Sequence, residues 1–155
     1  MEAKLRELWD AIEAQDAGRV EFALSGLSGP HLTPEYVPAL VELLGKSWHQ
    51  RHEDIVGALQ ELRDPRAVDA LYEEAHATYE YLPYDEFFGL ARKCTWALAD
   101  IGTPEAKAKL EALAREGNEL VAGYARKRLD RWESELNRKG TPNKVMNATR
   151  EQRGS

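Results

Sequence analysis

A chain of 155 residues with 43% hydrophobic and 31% charged residues has the size and balance of one domain that buries its own core. Its single cysteine, Cys94, excludes an internal disulfide, and no run approaches the roughly 18 consecutive apolar residues of a membrane span. The charged start, Met1-Glu2-Ala3-Lys4-Leu5-Arg6, lacks the apolar stretch that directs secretion, so the expected location is the cytoplasm and no membrane partner is expected.

The net charge of −6 is unevenly divided. From Asn137 to Ser155 five basic residues (Arg138, Lys139, Lys144, Arg150, Arg153) face Glu151 alone, which makes this stretch +4. The remaining body holds 16 Lys and Arg against 26 Asp and Glu, a charge of −10. A body of that sign repels phosphate backbones and favours basic partners, so nucleic acid is disfavoured.

Apolar residues recur along the chain at i, i+3, i+4 and i+7, the period of amphipathic helices. The first helix, over 2–15, carries Leu5, Leu8, Trp9 and Ile12 on one face, and a second is predicted over 18–27. Thr33-Pro34 opens the next, over 34–46, by placing a capping oxygen before a proline whose missing N–H costs nothing in a first turn. Helices follow over 50–62, 65–80, 86–101, 104–116 and 118–136, and Asp64-Pro65 and Thr103-Pro104 repeat the start signal. The last helix puts Val121, Ala125, Leu129, Trp132 and Leu136 on one face, which suits it to close the assembly. No segment shows sustained period-two alternation, so no sheet is predicted. The expected organisation is one domain over 1–136 and a basic, disordered tail over 137–155, where Gly140-Thr141-Pro142 echoes Gly102-Thr103-Pro104 without the leucines that should follow.

The helices repeat. Pro34-Glu-Tyr-Val37-Pro-Ala39-Leu40 returns 31 residues later as Pro65-Arg-Ala-Val68-Asp-Ala70-Leu71. Ile55-Val-Gly-Ala58-Leu59-Gln-Glu-Leu62-Arg-Asp64-Pro65 returns 39 residues later as Cys94-Thr-Trp-Ala97-Leu98-Ala-Asp-Ile101-Gly-Thr103-Pro104, so eight residues are inserted in between. One pair of short helices cannot bury its apolar stripe alone, whereas stacked pairs share a continuous core, and the small residues Ala58, Ala70, Ala97 and Ala106 suit close helix approach. The expected fold is therefore all-α, an α-solenoid of three to four helix pairs.

The run from Ala58 through Asp64-Pro65-Arg66-Ala67-Val68 to Leu71 resembles the bacterial HEAT-like repeat named after phycocyanobilin lyases. With Ala97-Leu98-Ala-Asp-Ile101-Gly102-Thr-Pro104-Glu-Ala106 and weaker copies, the resemblance spans roughly residues 18 to 132. It implies a right-handed superhelix whose second helices line a concave face. It also implies a scaffold shared by lyases, hydroxylases, DNA glycosylases and non-catalytic binding proteins.

Three groups of residues bear on function. His49-Gln-Arg-His52-Glu53 has metal-ligand residue types at helical spacing, so His49, His52 and Glu53 are candidate ligands, but neither the zinc-hydrolase order nor its inverse is present. His52-Glu53 resembles one His-Glu dyad of deoxyhypusine hydroxylase, a resemblance that implies four such dyads; the stretch before Cys94, Leu90-Ala91-Arg92-Lys93, holds no histidine. The alternative is a solvated inter-helix turn with Trp48 packed beneath it. The second group, over 72–88, concentrates Tyr72, Tyr79, Tyr81, Tyr84, Phe87 and Phe88 with Glu73, Glu74, Glu80, Asp85 and Glu86, a composition suited to binding a basic protein. Tyr79, Tyr81 and Tyr84 are expected to be exposed, while Phe87 and Phe88 fill the core. The third group, Arg126-Lys127-Arg128 with Arg131, reads as a solvated basic face. Cys94 lies on the stripe of Leu90, Ala91, Leu98 and Ile101, as a buried and inert thiol would.

These readings converge on a non-catalytic protein that needs no cofactor. It would bind a basic protein partner through an acidic, aromatic concave face bearing Trp48, Tyr72, Glu73, His76, Tyr79, Glu80, Tyr81, Tyr84, Asp85 and Glu86. An immunity protein that covers a toxin has this size and charge. The alternative is a small metal- or tetrapyrrole-handling enzyme, lyase-like or hydroxylase-like, built on His49, His52 and Glu53, with His76 as a further candidate.

Overall fold

The computed structural model describes residues 2–82, 88–116 and 118–139, so Tyr84, Asp85, Glu86 and Phe87 and the tail beyond Lys139 lie outside the described residues. Among the described residues the chain is all-helical and has no strand. In order come α1 (Ala3–Ala14), α2 (Ala17–Leu24), α3 (Val37–Leu44), α4 (His52–Leu62), α5 (Val68–Glu74), α6 (Gly89–Ile101), α7 (Pro104–Arg115), α8 (Glu119–Asp130) and α9 (Trp132–Lys139).

The proline signals act much as their chemistry requires. Asp64 Oδ1 accepts from the Arg66 amide at 2.9 Å and Thr103 Oγ1 accepts from the Ala106 amide at 3.2 Å, which satisfies amides that a helix start leaves unpaired. Thr33 makes no side-chain cap. Pro34 and Pro65 each open a single 3-10 turn that leads into α3 and α5, whereas Pro104 is itself the first residue of α7. Gly102, at φ 71°, ends α6 in the left-handed conformation that glycine adopts without a steric cost.

Two boundaries differ from the sequence expectation. α5 stops at Glu74 rather than continuing to residue 80, because Tyr79 turns back to bond Glu74 and to stack on His52. The final helix breaks at Arg131 and runs on to Lys139. The break seats Trp132 as a buried ring with the Lys107 ammonium of α7 5.8 Å from its centroid.

Packing sets the helices in two rows. α4, α6 and α8 contact one another in sequence, as do α3, α5 and α7, and the rows are joined where α3 meets α4, α5 meets α6 and α7 meets α8. Between them lies one core in which Leu40, Ile55, Leu71, Leu98 and Leu110 are wholly buried. Ala97 and Ala106 are buried at helix crossings, while Ala58 and Ala70 are half-buried against the same core. Cys94 is fully buried within it, and burial pushes its thiol well above the ordinary value.

Polar ties run along the row of α4, α6 and α8. Arg63 Nε donates to the Asp100 carbonyl at 2.7 Å and Gln60 donates to the Asp100 carboxylate at 2.7 Å, joining α4 to α6. Arg126 and Lys127 are exposed, but Arg128 is only 5% exposed, which corrects its reading as part of a solvated face. Its guanidinium lies 3.6 Å from the centroid of Trp96, where a cation is attracted to the ring face and burial lowers its affinity for the proton.

Leu98→Ala should cost about 2–5 kcal/mol in urea unfolding, because it opens a cavity at the crossing of both rows. Phe22→Ala should change stability by less than about 0.5 kcal/mol, since Phe22 is 73% exposed.

Candidate functional site

The residues singled out by sequence gather at one edge, where the segment after α3 meets the segment after α5. Two histidines donate to carbonyls at and just beyond the end of α3. His49 Nδ1 accepts from the Arg51 amide at 3.0 Å, which leaves Nε2–H to donate to the Leu43 carbonyl at 2.8 Å. His52 Nε2–H donates to the Lys46 carbonyl at 2.6 Å, so its Nδ1 accepts from the Tyr81 hydroxyl at 2.7 Å. Both rings are thereby fixed as neutral Nε2–H tautomers with every nitrogen in use.

This arrangement bears on both readings of the turn. His49 and His52 are 1% and 0% exposed, so the two rings are packed, while Ser47 and Gln50 of the same turn are exposed. Neither imidazole retains a lone pair for a metal, and Glu53 pairs instead with Lys93 of α6 at 3.3 Å. Among the described residues no group of three or more His, Cys, Asp or Glu is placed to hold a metal ion.

Aromatic stacking extends the junction outward. Trp48 meets His49 edge-on at 5.4 Å, His49 stacks on His52 at 4.1 Å, and His52 stacks on Tyr79 at 3.6 Å. Tyr79 and Tyr81 are consequently half-buried, contrary to their expected exposure. The Tyr79 hydroxyl donates to Glu74 Oε2 at 2.7 Å. Glu74 is only 3% exposed, and desolvation raises its pKa to about 7 despite that hydrogen bond. Burial has the opposite consequence for His52, whose pKa falls to about 4 because the charged imidazolium is the form it penalises.

Beside this stack lies a second polar group. The Tyr72 hydroxyl and His76 Nε2 both donate to Glu116 Oε1, the latter at 2.9 Å, and so tie the end of α5 to the end of α7. His76 Nδ1 faces the Tyr72 carbonyl at 2.9 Å, and the Lys109 ammonium lies 4.5 Å from the Tyr72 ring centroid. The Tyr72 hydrogen bond first, then that of His76, hold the Glu116 carboxyl below the usual carboxylate range.

Two clefts flank the 76–81 segment and share Thr78. One, of about 440 Å³, lies between Ser47, Trp48, His49 and Gln50 on one wall and Thr78, Tyr79, Glu80 and Tyr81 on the other. The second, of about 210 Å³, has Ala75, Ala77, Phe88, Leu113 and Val121 as apolar walls and His76, Thr78, Glu116 and Asn118 at its rim. Glu73 and Glu80 are exposed, and Trp48 and Tyr72 are half-buried. The structure thus brings together the described members of the sequence-predicted surface.

Sequence reasoning counted Glu74 only among the acidic residues of the 72–88 group and gave Glu116 no role. Glu74 carried a signal, because it stands three residues after Leu71 on a stripe with Val68 and Ala75, where a carboxylate must be buried. Glu116 carried none, since only the approach of α7 to α5 gives it partners. Comparison with models of known protein families, with characterised proteins and with solved structures finds no match for this chain.

The two shifted pKa values have opposite effects on stability. Glu74 binds its proton more tightly when folded, so its contribution is fully present below about pH 4.5 and is lost as pH rises toward 7. His52 binds its proton less tightly when folded, so stability is lost as pH falls from about 6.5 toward 4. In urea titrations between pH 5 and 8, Glu74→Gln should gain on the native chain as pH rises, by up to about 3 kcal/mol. Parallel profiles would show that Glu74 ionises as it does in the unfolded chain.

Proposed function

We propose that this chain is a HEAT-like α-solenoid, without catalytic activity, that binds a basic segment of another protein along the edge formed by residues 47–50, 72–81 and 113–121. The observation that carries this reading is the pair of clefts that share Thr78, one floored by stacked aromatic rings and the other by aliphatic side chains. Aromatic rings offer large contact area at low entropic cost, and they anchor most protein interfaces. The carboxylates of Glu73, Glu80 and Glu116 and the −10 charge of the body complement a basic partner and would speed its approach.

The two helix rows are consistent with stacked repeats, because each interior helix contacts the preceding and following members of its own row. Neutralising a basic toxin by covering its active surface is the use that size and charge suit best. The enzymatic alternative lacks comparable support, since all four ring nitrogens of His49 and His52 are engaged in hydrogen bonds.

Gln50 and Glu80 are exposed on opposite walls of the larger cleft and carry no packing role, so Gln50→Lys with Glu80→Lys reverses its charge without touching the core. Affinity capture with the native chain should retain a basic protein that the double variant loses, and raising the salt should weaken the native complex. Capture unaffected by both the double variant and salt would place the contact elsewhere and overturn the reading.

A further inference from the structure

The smaller cleft suits one kind of side chain. At about 210 Å³ it falls below the roughly 300–1,000 Å³ of pockets for drug-sized molecules, which leaves room for a single residue. Its walls are apolar, formed by Ala75, Ala77, Leu113 and Val121, whereas its rim carries the Glu116 carboxylate. An occupant must therefore combine an apolar stem with a cationic tip, which is how lysine and arginine cover apolar surface while keeping their charge near water.

The carboxylate distinguishes the two. Tyr72 and His76 both donate to Glu116 Oε1, while Oε2 takes part in neither bond. An arginine fork gains its advantage by engaging both carboxylate oxygens at once, and the two existing donors crowd one of them. An ammonium is a compact point charge and needs only the other oxygen. The charged groups around the carboxylate are Arg115 beside it and Lys109 over the Tyr72 ring, with His76 hydrogen-bonded to it, so an incoming cation has to compete with them. The two existing hydrogen bonds keep the carboxylate ionised and fixed in place.

We infer that the pocket between the ends of α5 and α7 and the start of α8 is a lysine-side-chain pocket, in which Ala75, Ala77, Leu113 and Val121 hold the methylene stem and Glu116 Oε2 receives the ammonium. This inference rests on the basic-partner reading above and names the residue that the partner inserts. His76 and Tyr72 are positioning residues, since they orient the carboxylate from its other oxygen.

The test uses the full chain with Nα-acetyl-lysine N-methylamide as probe, followed by methyl and amide NMR. The expected result is saturable shifts at Ala75, Ala77, Leu113 and Val121, with a Kd in the millimolar range that suits one side chain. Nα-acetyl-norleucine N-methylamide, which keeps the stem and lacks the ammonium, should bind at least about tenfold more weakly, and Glu116→Gln should weaken lysine binding by a similar factor. Glu116 is well exposed, so the Gln variant leaves the core intact, and Ala77→Leu, which fills the apolar wall, provides a second, independent block.

Absence of saturable shifts, equal binding of the norleucine probe, or unchanged affinity in Glu116→Gln would each overturn the assignment. The two readings separate cleanly. Capture of a basic protein through the larger cleft without lysine binding here would sink the pocket and leave the partner reading standing. Lysine binding here, with capture indifferent to Gln50→Lys, Glu80→Lys and salt, would sink the partner reading and retain the pocket.

Discussion

The junction depends on His52. Its ring donates to the Lys46 carbonyl just beyond α3, begins α4, accepts from Tyr81 and lies under Tyr79. A neutral imidazole can donate from one nitrogen and accept at the other while presenting two flat faces for stacking, and all of these capacities are used. His49 and His52 together tie the Leu43 and Lys46 carbonyls to the start of α4 through two stacked rings. The aromatic floor of the larger cleft follows from this, because Tyr79 and Tyr81 are held where the histidine places them.

The same arrangement explains a helix that the periodicity extends too far. Apolar spacing carries α5 to residue 80, yet the chain turns at Ala75 because Tyr79 gains both a stacking partner and the Glu74 carboxylate by reversing. A carboxylate at a core position is costly to ionise, and its proton is held to about neutrality. When Glu74 is ionised the Tyr79 hydroxyl donates to it. When Glu74 is protonated it donates to Tyr79 instead, and the phenolic proton turns toward the Leu44 carbonyl 3.5 Å away. Either state keeps the segment attached to the end of α3, so the edge persists across the range in which Glu74 titrates.

Helix identity and order were legible because three starts pair a capping residue type with a proline and each interior keeps its apolar stripe. Asp64-Pro65 and Thr103-Pro104 fulfil that chemistry atom by atom, and even Thr33-Pro34, which makes no side-chain cap, opens a turn through the fixed φ of its proline. The site was legible only as composition. Tyr79, Glu80 and Tyr81 do line a cleft with Trp48, and Tyr72 and His76 meet at Glu116, but which of them face solvent depends on partners brought from other helices. Tyr79 and Tyr81 read as exposed because aromatic residues in an acidic insertion have no periodicity to bury them, and His52 reads as a ligand because spacing cannot reveal that Lys46 and Tyr81 already occupy its nitrogens. Arg128 was hidden for the same reason, since only the approach of α8 to α6 sets Trp96 beneath it.

If the edge binds a basic segment, as proposed, charge and shape would act together there. A negatively charged body draws basic chains toward it over distances of about 8–10 Å at ordinary ionic strength, which raises encounter rates without choosing among partners. Choice requires a contact whose geometry fits one group, and carboxylates such as Glu73 and Glu80, which no neighbouring side chain among the described residues orients, do not supply it. Glu116 differs because Tyr72 and His76 fix one of its oxygens and because an apolar wall lies directly beside it. A cation that fills this pocket loses little rotational freedom beyond that of its own stem, since the receiving carboxylate is already ordered. On the proposed reading, discrimination would fall to Glu116, an exposed carboxylate that the fold holds in place, while Glu73 and Glu80 would serve attraction.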